Sequence, residues 1–343
     1  MTTSNQFATD NADLIAWLEG IAPKYGLRLD TLDKASADAG FREYLRLSGD
    51  DGRTFVVMNA ARDSAESFAA FRKVDALMRD EAKLNAPEIF EADEARRFML
   101  LSDLGTKTYL DVLDEKNAPE LMDRATTALV EWQKISRPHV LPAYDREVLL
   151  REINLFPEWY VGRHRGVTWN EEEKKWWDMS VNAILERNCR EALVFVHRDF
   201  MPRNLMMSEA QPGILDFQDA LYGPVSYDIA SLLRDAFISW GEPFVLDTTI
   251  RYWEKARKAG IPVPEDFSVF YQDLEFMGVQ RHLKVLGIFA RLNYRDGKPR
   301  YLEDAPRFVE YLRKTSQRYI QLSPLKHLID NLEGSNTTFG YTF

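Results

Sequence analysis

The sequence predicts an α+β protein of two lobes, a small β-rich N-terminal lobe over residues 1–102 and a larger, mostly helical lobe over 103–343. Three observations predict it. Segments that alternate apolar and polar residues, the period of a half-buried strand, are concentrated in the first hundred residues. Beyond residue 103 the apolar residues recur mostly at helical spacing. A chain of 343 residues that is 45% hydrophobic is long enough to bury a core in each of two lobes.

In chain order, Leu14, Ile15, Trp17, Leu18 and Ile21 predict an amphipathic helix over 11–25, behind a cap at Asp10 or Asn11. Residues 41–47 and 54–58 read as two strands joined by the turn Gly49-Asp50-Asp51-Gly52, a β-hairpin. A helix over about 64–79 carries Phe68, Phe71, Val74, Leu77 and Met78 on one face. Pro87 precedes a short strand near Ile89, and 98–101 forms another. Ser102-Asp103-Leu104-Gly105 closes that strand and marks the lobe boundary. Helices follow at 118–136 and 145–162, the second kinked by Pro157. A polar stretch, 166–175, leads into a helix ending near Arg190, and further helices are expected near 228–240, 246–259, 267–291 and 304–320. The tail after Pro324 is expected to be loosely held.

Composition narrows the function classes. A net charge of −10 and a pI near 5.2 argue against nucleic acid or an anionic membrane as partner. Such a protein can still bind ATP, because Mg²⁺ and backbone amides supply the local positive potential. The single cysteine, Cys189, excludes internal disulfides and thiolate metal sites. The histidines (139, 164, 197, 282 and 327) show no metal-ligand spacing. No basic-then-apolar leader opens the sequence and no apolar run approaches a membrane span, so a cytoplasmic protein is expected.

The chemistry is concentrated between Leu193 and Asp228. The apolar run Leu193-Val194-Phe195-Val196 reads as a buried strand delivering His197-Arg198-Asp199. Asn204 follows five residues after Asp199, and Ile214-Leu215 delivers Asp216 after a polar turn. A carboxylate, an amide and a second carboxylate at these spacings suit phosphoryl transfer: Asp199 would orient and deprotonate a hydroxyl, while Asn204 and Asp216 would give hard oxygen ligands to Mg²⁺. Asp228 reads as an N-cap of the next helix; the resemblance of this stretch to the protein-kinase-like superfamily implies instead a buried carboxylate bracing the catalytic loop, and both parts are structural.

HRDFMPRN followed by DFQ resembles the catalytic loop and metal-binding triplet of the protein-kinase-like superfamily, and most closely its aminoglycoside-phosphotransferase branch. The resemblance implies a bilobal kinase-like fold with ATP and Mg²⁺ as cofactors. Asp228 follows only twelve positions after Asp216, too few for an activation loop, which favours a small-molecule acceptor over a protein. The stretches ASADAGFREYLRL, LLSDLGTKTYLDVL, ILDFQDALYGPVSYDIASLLRDAFISW and QRHLKVLGIFARLNYRDGKPRYLEDAPR extend the resemblance to the anomeric cell-wall sugar kinases. That family implies phosphorylation of N-acetylmuramic acid and N-acetylglucosamine at C1 in peptidoglycan recycling. An aminoglycoside or amino-alcohol kinase, or a pseudokinase that binds nucleotide without turnover, remain as alternatives.

On the nucleotide side, the resemblance places a phosphate-covering loop at SADAGFREY, where Ser36, Gly40 and Arg42 are candidates. A plain turn fits that stretch equally well. Leu101 and Asp103 sit where an adenine-contacting hinge is expected, or where an ordinary strand-end turn would fall. The second strand reads Phe55-Val56-Val57-Met58-Asn59 and lacks the lysine that the superfamily uses on the phosphates. Arg42, Arg46 or Arg62 could replace its charge, or the lobe grips phosphates differently. For the acceptor, a pyranose calls for an aromatic platform with nearby polar groups. Candidates are Asp199, Asp219, Glu152, Trp159, Tyr222, Arg281 and His282. Trp159 and Tyr222 also fit the core, and Arg281 with His282 also fits a solvated helix face.

Overall fold

The structure, a computed structural model, describes residues 11–35, 42–208 and 212–334. Ser36 and Gly40 therefore lie outside the described residues, as does the chain beyond 334. The protein is α+β, and the described residues form two compact units, one drawn from 1–112 and 203–219, the other from 113–202 and 220–343. The division expected at 102/103 falls inside the first unit, which is discontinuous in sequence. Among the described residues no helix is long and apolar enough to cross a membrane.

In the first unit, helix α1 (Ala12–Tyr25) ends at Gly26, whose φ of 64° lets its N–H reach back to the Ala22 carbonyl. Strands β1 (Leu27–Lys34), β2 (Glu43–Gly49), β3 (Thr54–Asn59), β4 (Ile89–Asp93) and β5 (Phe98–Ser102) form an antiparallel sheet in the order β1-β2-β3-β5-β4. The period of two divides each strand between two faces. Leu45 and Leu47 of β2, Phe55 and Val57 of β3, and Phe98 and Leu100 of β5 pack against Leu14, Trp17 and Leu18 of α1. Tyr44, Arg46, Val56 and Leu101 take the opposite face. Helix α2 (Ala65–Ala76) begins at Ser64, whose side chain accepts a bond from the Ser67 N–H, and buries Phe68, Phe71 and Val74. Its last turn widens into a π-helical segment, Leu77–Glu81.

Strand β1 has no counterpart in the sequence reading. It is an edge strand with only Leu27 buried, and its register shifts between Arg28 and Asp33. Charged residues on a solvated, irregular edge blur the alternation that would reveal a strand.

A short helix α3 (Tyr109–Val112) and the two-stranded pairing of β7 (Leu205–Met206) with β8 (Gly213–Ile214) complete the first unit. Backbone bonds tie this hairpin to earlier chain: the Met207 N–H donates to the Lys107 carbonyl (2.9 Å) and the Ile214 N–H to the Asn85 carbonyl (2.8 Å). Packing around Gly213 is close: a Cβ would lie 3.0 Å from both Leu104 and Met206.

The second unit is mostly helical. It contains α4 (Ala118–Lys134), α5 (Arg146–Ile153), α6 (Glu171–Asn188), β6 (Leu193–Val196) paired with β9 (Leu221–Pro224), α7 (Tyr227–Leu233), α8 (Glu242–Lys258), α9 (Phe267–Asp296), α10 (Ala305–Arg318) and α11 (Ser323–Glu333). The single helix expected over 145–162 is instead α5 followed by a π-helical stretch, Phe156–His164, with Pro157 in its first turn. Proline has no N–H for the preceding turn, so the regular ladder stops and resumes with wider spacing. The 30-residue α9 runs close to this stretch: a Cβ on Gly287 would lie 2.4–2.5 Å from Leu155.

The chain after Pro324 corrects the sequence reading up to residue 334. Pro324 occupies the first turn of α11, which buries Leu325, Leu328, Ile329 and Leu332. Proline is favoured in the first turn of a helix, where its missing N–H has no intrahelical bond to lose.

Candidate active site

In the first unit a cavity of about 710 Å³ opens on the sheet face that carries Tyr44, Arg46, Val56 and Leu101. Arg42, Leu101, Asp103, Asn204, Asp216 and Asp219 all line it, six residues that the sequence reading singled out on separate grounds. Asn204 ends a 3₁₀ turn, Pro202–Asn204, that leads into β7. Its carbonyl accepts the Leu215 N–H at 2.9 Å, and its side-chain Nδ2 stands 3.4 Å from Asp216 Oδ2. Asp216 is exposed, with φ of 64°, a conformation that Asp tolerates better than most residues. Gln218 donates to its other oxygen at 2.8 Å, an orienting contact that sequence reasoning missed.

The donor chemistry of this pair fits a magnesium ion. An amide oxygen and a carboxylate are hard ligands, and Mg²⁺ is commonly held by one or two protein groups together with substrate phosphates. Among the described residues no cluster of three or more His, Cys, Asp or Glu offers an all-protein metal cage.

Also lining the cavity, Arg46 grips Asp103 through Nε (2.6 Å) and Nη2 (2.9 Å) and donates to the Gly105 carbonyl at 2.8 Å. Burial alone would raise the Asp103 carboxyl, but these bonds and the Gly105 N–H hold it below the usual carboxylate range. Arg46 and Asp103 thus fix the turn after β5.

The second unit presents Asp199 at the end of β6, on a loop fixed by buried groups. Asp228 is fully buried and accepts the backbone N–H groups of His197 (2.7 Å) and Arg198 (3.0 Å). It is the brace of the loop, whereas the N-cap position belongs to Ser226. Burial raises the Asp228 carboxyl to about 7, against the pull of those two bonds. Arg198 has φ of 78°, unusual for so bulky a side chain. Its carbonyl accepts from Arg281 Nη1 (3.1 Å), and its guanidinium donates to Glu152 Oε1 (2.6 Å) over the Tyr144 ring. The surroundings hold this strained residue in place.

Glu152, Arg281 and His282, expected on an acceptor surface, are buried. Glu152 faces Arg198, Lys284 (2.9 Å), Gln280 (3.4 Å) and the Tyr144 hydroxyl, so protein groups occupy its carboxylate. Arg281 lies over the Tyr227 ring at 4.7 Å. His282 stacks on Tyr311 at 5.0 Å; burial, with Arg234 nearby, pushes its imidazole down to about 3, so it is neutral at pH 7. Trp159 is half-buried in the π-helical stretch, and half-buried Tyr222 pairs with Phe195 across β6–β9. Lys284 was missed. Its spacing of three from Arg281 on one helix was the available signal.

Burial would raise the Glu152 carboxyl, yet Lys284 and Arg198 pull it down to about 2. The folded value lies below the ordinary 4.5, so the associated stability is present above pH 4.5 and is lost as pH falls from there through about 2. Replacing Glu152 by Gln strands two buried cations and is expected to cost about 3 kcal/mol. Urea unfolding at pH 7 should show that loss, and the variant should lack the wild-type decline between pH 4.5 and 3.

The sequence matches the family described as "Phosphotransferase enzyme family" over residues 31–267. The chain belongs to this family. It is 49% identical over 332 residues to an N-acetylmuramate/N-acetylglucosamine kinase of Neisseria meningitidis serogroup B, covering 95% of this chain and 97% of that protein. A protein of the same name from Pseudomonas aeruginosa is 50% identical over 298 residues, 87% of each chain. Among solved structures, choline kinase from Cryptosporidium parvum superposes with a TM-score of 0.63 at 13% identity, covering 92% of this chain and 99% of that one. At that identity the likeness establishes the fold, the protein-kinase-like phosphotransferase fold. Membership of the family makes the chain an enzyme of phosphoryl transfer.

Proposed function

We propose that this enzyme uses ATP and Mg²⁺ to phosphorylate the anomeric C1 hydroxyl of N-acetylmuramic acid, N-acetylglucosamine or both, in cytoplasmic recycling of peptidoglycan. The observation that carries the reading is the shared name of three relatives at 46–50% identity over most of this chain. The donor pair Asn204 and Asp216 in the first unit and the braced Asp199 loop in the second both support it.

In this reading Asp199 accepts a hydrogen bond from the attacking hydroxyl and takes its proton late in the transfer. An anomeric hydroxyl is more acidic than an ordinary alcohol, so a carboxylate is a sufficient base. Asn204 and Asp216 would hold Mg²⁺, which when bound neutralises charge on the nucleotide phosphates. Asp219, Trp159 and Tyr222 are the proposed acceptor contacts; Glu152 and Arg281 position the base by fixing the loop that carries it.

ADP release measured across a panel of N-acetylmuramic acid, N-acetylglucosamine, kanamycin and choline tests the acceptor. Turnover confined to the amino sugars is expected. Turnover of kanamycin or choline with silent sugars, or nucleotide binding with no turnover at all, would contradict it.

A further inference from the structure

The strand position that carries a phosphate-binding lysine in protein kinases falls, in this chain, within an apolar run. Met58 is fully buried on β3, opposite Tyr44 of β2 and Met99 of β5. A methionine there supplies no charge. The lead-in to the neighbouring strand supplies one instead. Arg42, just before β2, lines the cavity and donates through Nε to Asp63 (2.7 Å) and through Nη2 to the Ser67 hydroxyl of α2 (2.5 Å). An arginine tied to the segment leading into α2 and to α2 itself matches the role of the lysine–glutamate pair that links strand and helix in protein kinases.

Packing carries this cation toward the metal-ligand pair. The Arg42 guanidinium lies 5.8 Å from the Phe71 ring centroid, and Phe71 packs at 4.8 Å against Phe217, the residue after Asp216. Tyr44 lies within the field of both groups: burial raises its phenol, Arg42 opposes that rise, and Asp216 adds to it. Asp63, Ser67 and the Tyr44 side chain engage part of a group with five N–H donors, and its remaining capacity suits phosphate oxygens. The two rival arginines are placed differently. Arg46 also lines the cavity, but its bonds to Asp103 and Gly105 tie it to the turn after β5. Arg42 is tied to α2 and, through Phe71, to Phe217 beside Asp216. Arg62 is exposed and does not line the cavity.

We propose that Arg42 is the cation that grips the nucleotide phosphates in this chain, doing from the residue before β2 what a β3 lysine does in protein kinases. The inference rests on the kinase reading above. It is tested by calorimetric titration of the full chain with Mg·ADP, Mg·ATP and adenosine, without sugar, for wild type, Arg42→Met, Arg42→Lys and Arg62→Ala. Arg42→Met should weaken ADP and ATP by about 10- to 100-fold while adenosine stays within about 2-fold, the pattern of a lost charge-assisted contact to phosphate. Arg42→Lys should recover part of the loss, because it restores the charge without the fork, and Arg62→Ala should bind like wild type. Equal weakening of adenosine and ADP, unchanged ADP affinity in Arg42→Met, or the loss appearing in Arg62→Ala would each overturn the assignment. Failure of the sugar-kinase reading would show separately, as intact nucleotide binding with no amino-sugar turnover in the wild type.

Discussion

Asp199→Asn is expected to reduce kcat by about 10²- to 10⁴-fold, the usual contribution of a positioned general base. The amide keeps the side chain's size but does not take a proton from the acceptor hydroxyl. The loop should hold its shape, because its anchors are Asp228 on two backbone N–H groups, Glu152 on Arg198 and Arg281 on the Arg198 carbonyl. Stability and Mg·ADP affinity should therefore stay near wild type. Steady-state rates, urea midpoints and calorimetric titration check the three parts. Full activity in the variant would remove Asp199 from its role as base.

Asp216→Asn should behave differently, losing both turnover and the magnesium dependence of nucleotide binding. It removes a charge in contact range of Asn204 while retaining a residue type that tolerates φ of 64°. Asp216→Ala would add backbone strain to the same loss, which makes Asn the cleaner probe. The expected fall in kcat is about 10²- to 10³-fold, as when preorganised charge stabilisation is removed from a transition state. The two variants should thus separate: Asp199→Asn spares nucleotide binding and Asp216→Asn does not. Titration of ADP with and without Mg²⁺ reads that difference directly, and equal ADP affinity for wild type and Asp216→Asn in the presence of Mg²⁺ would contradict it.

What local sequence displays, it displayed well. The β2–β3 hairpin, α1, α2 and most later helices are legible because each buries one face and so carries its period in the residues themselves. Strand β1 escaped because its edge is charged and its register shifts, and α11 because the chain after Pro324 was expected to be loosely held. The spacing of Asp199, Asn204 and Asp216 is likewise local and easily seen. Partners distant in sequence were not. Nothing near Glu152 shows that Arg198 and Lys284, 46 and 132 residues away, occupy its carboxylate. The same limit applies to Arg42, whose partners Asp63 and Ser67 lie 21 and 25 residues further on.

The identity of the phosphorylated atom tests the central claim most directly. Incubation with ATP, Mg²⁺ and N-acetylmuramic acid or N-acetylglucosamine, followed by phosphorus NMR with proton coupling retained, should give a sugar phosphate whose phosphorus is a doublet coupled to the anomeric proton. A product whose phosphorus couples to the C6 methylene protons, or ATP left unconsumed with both sugars, would contradict it.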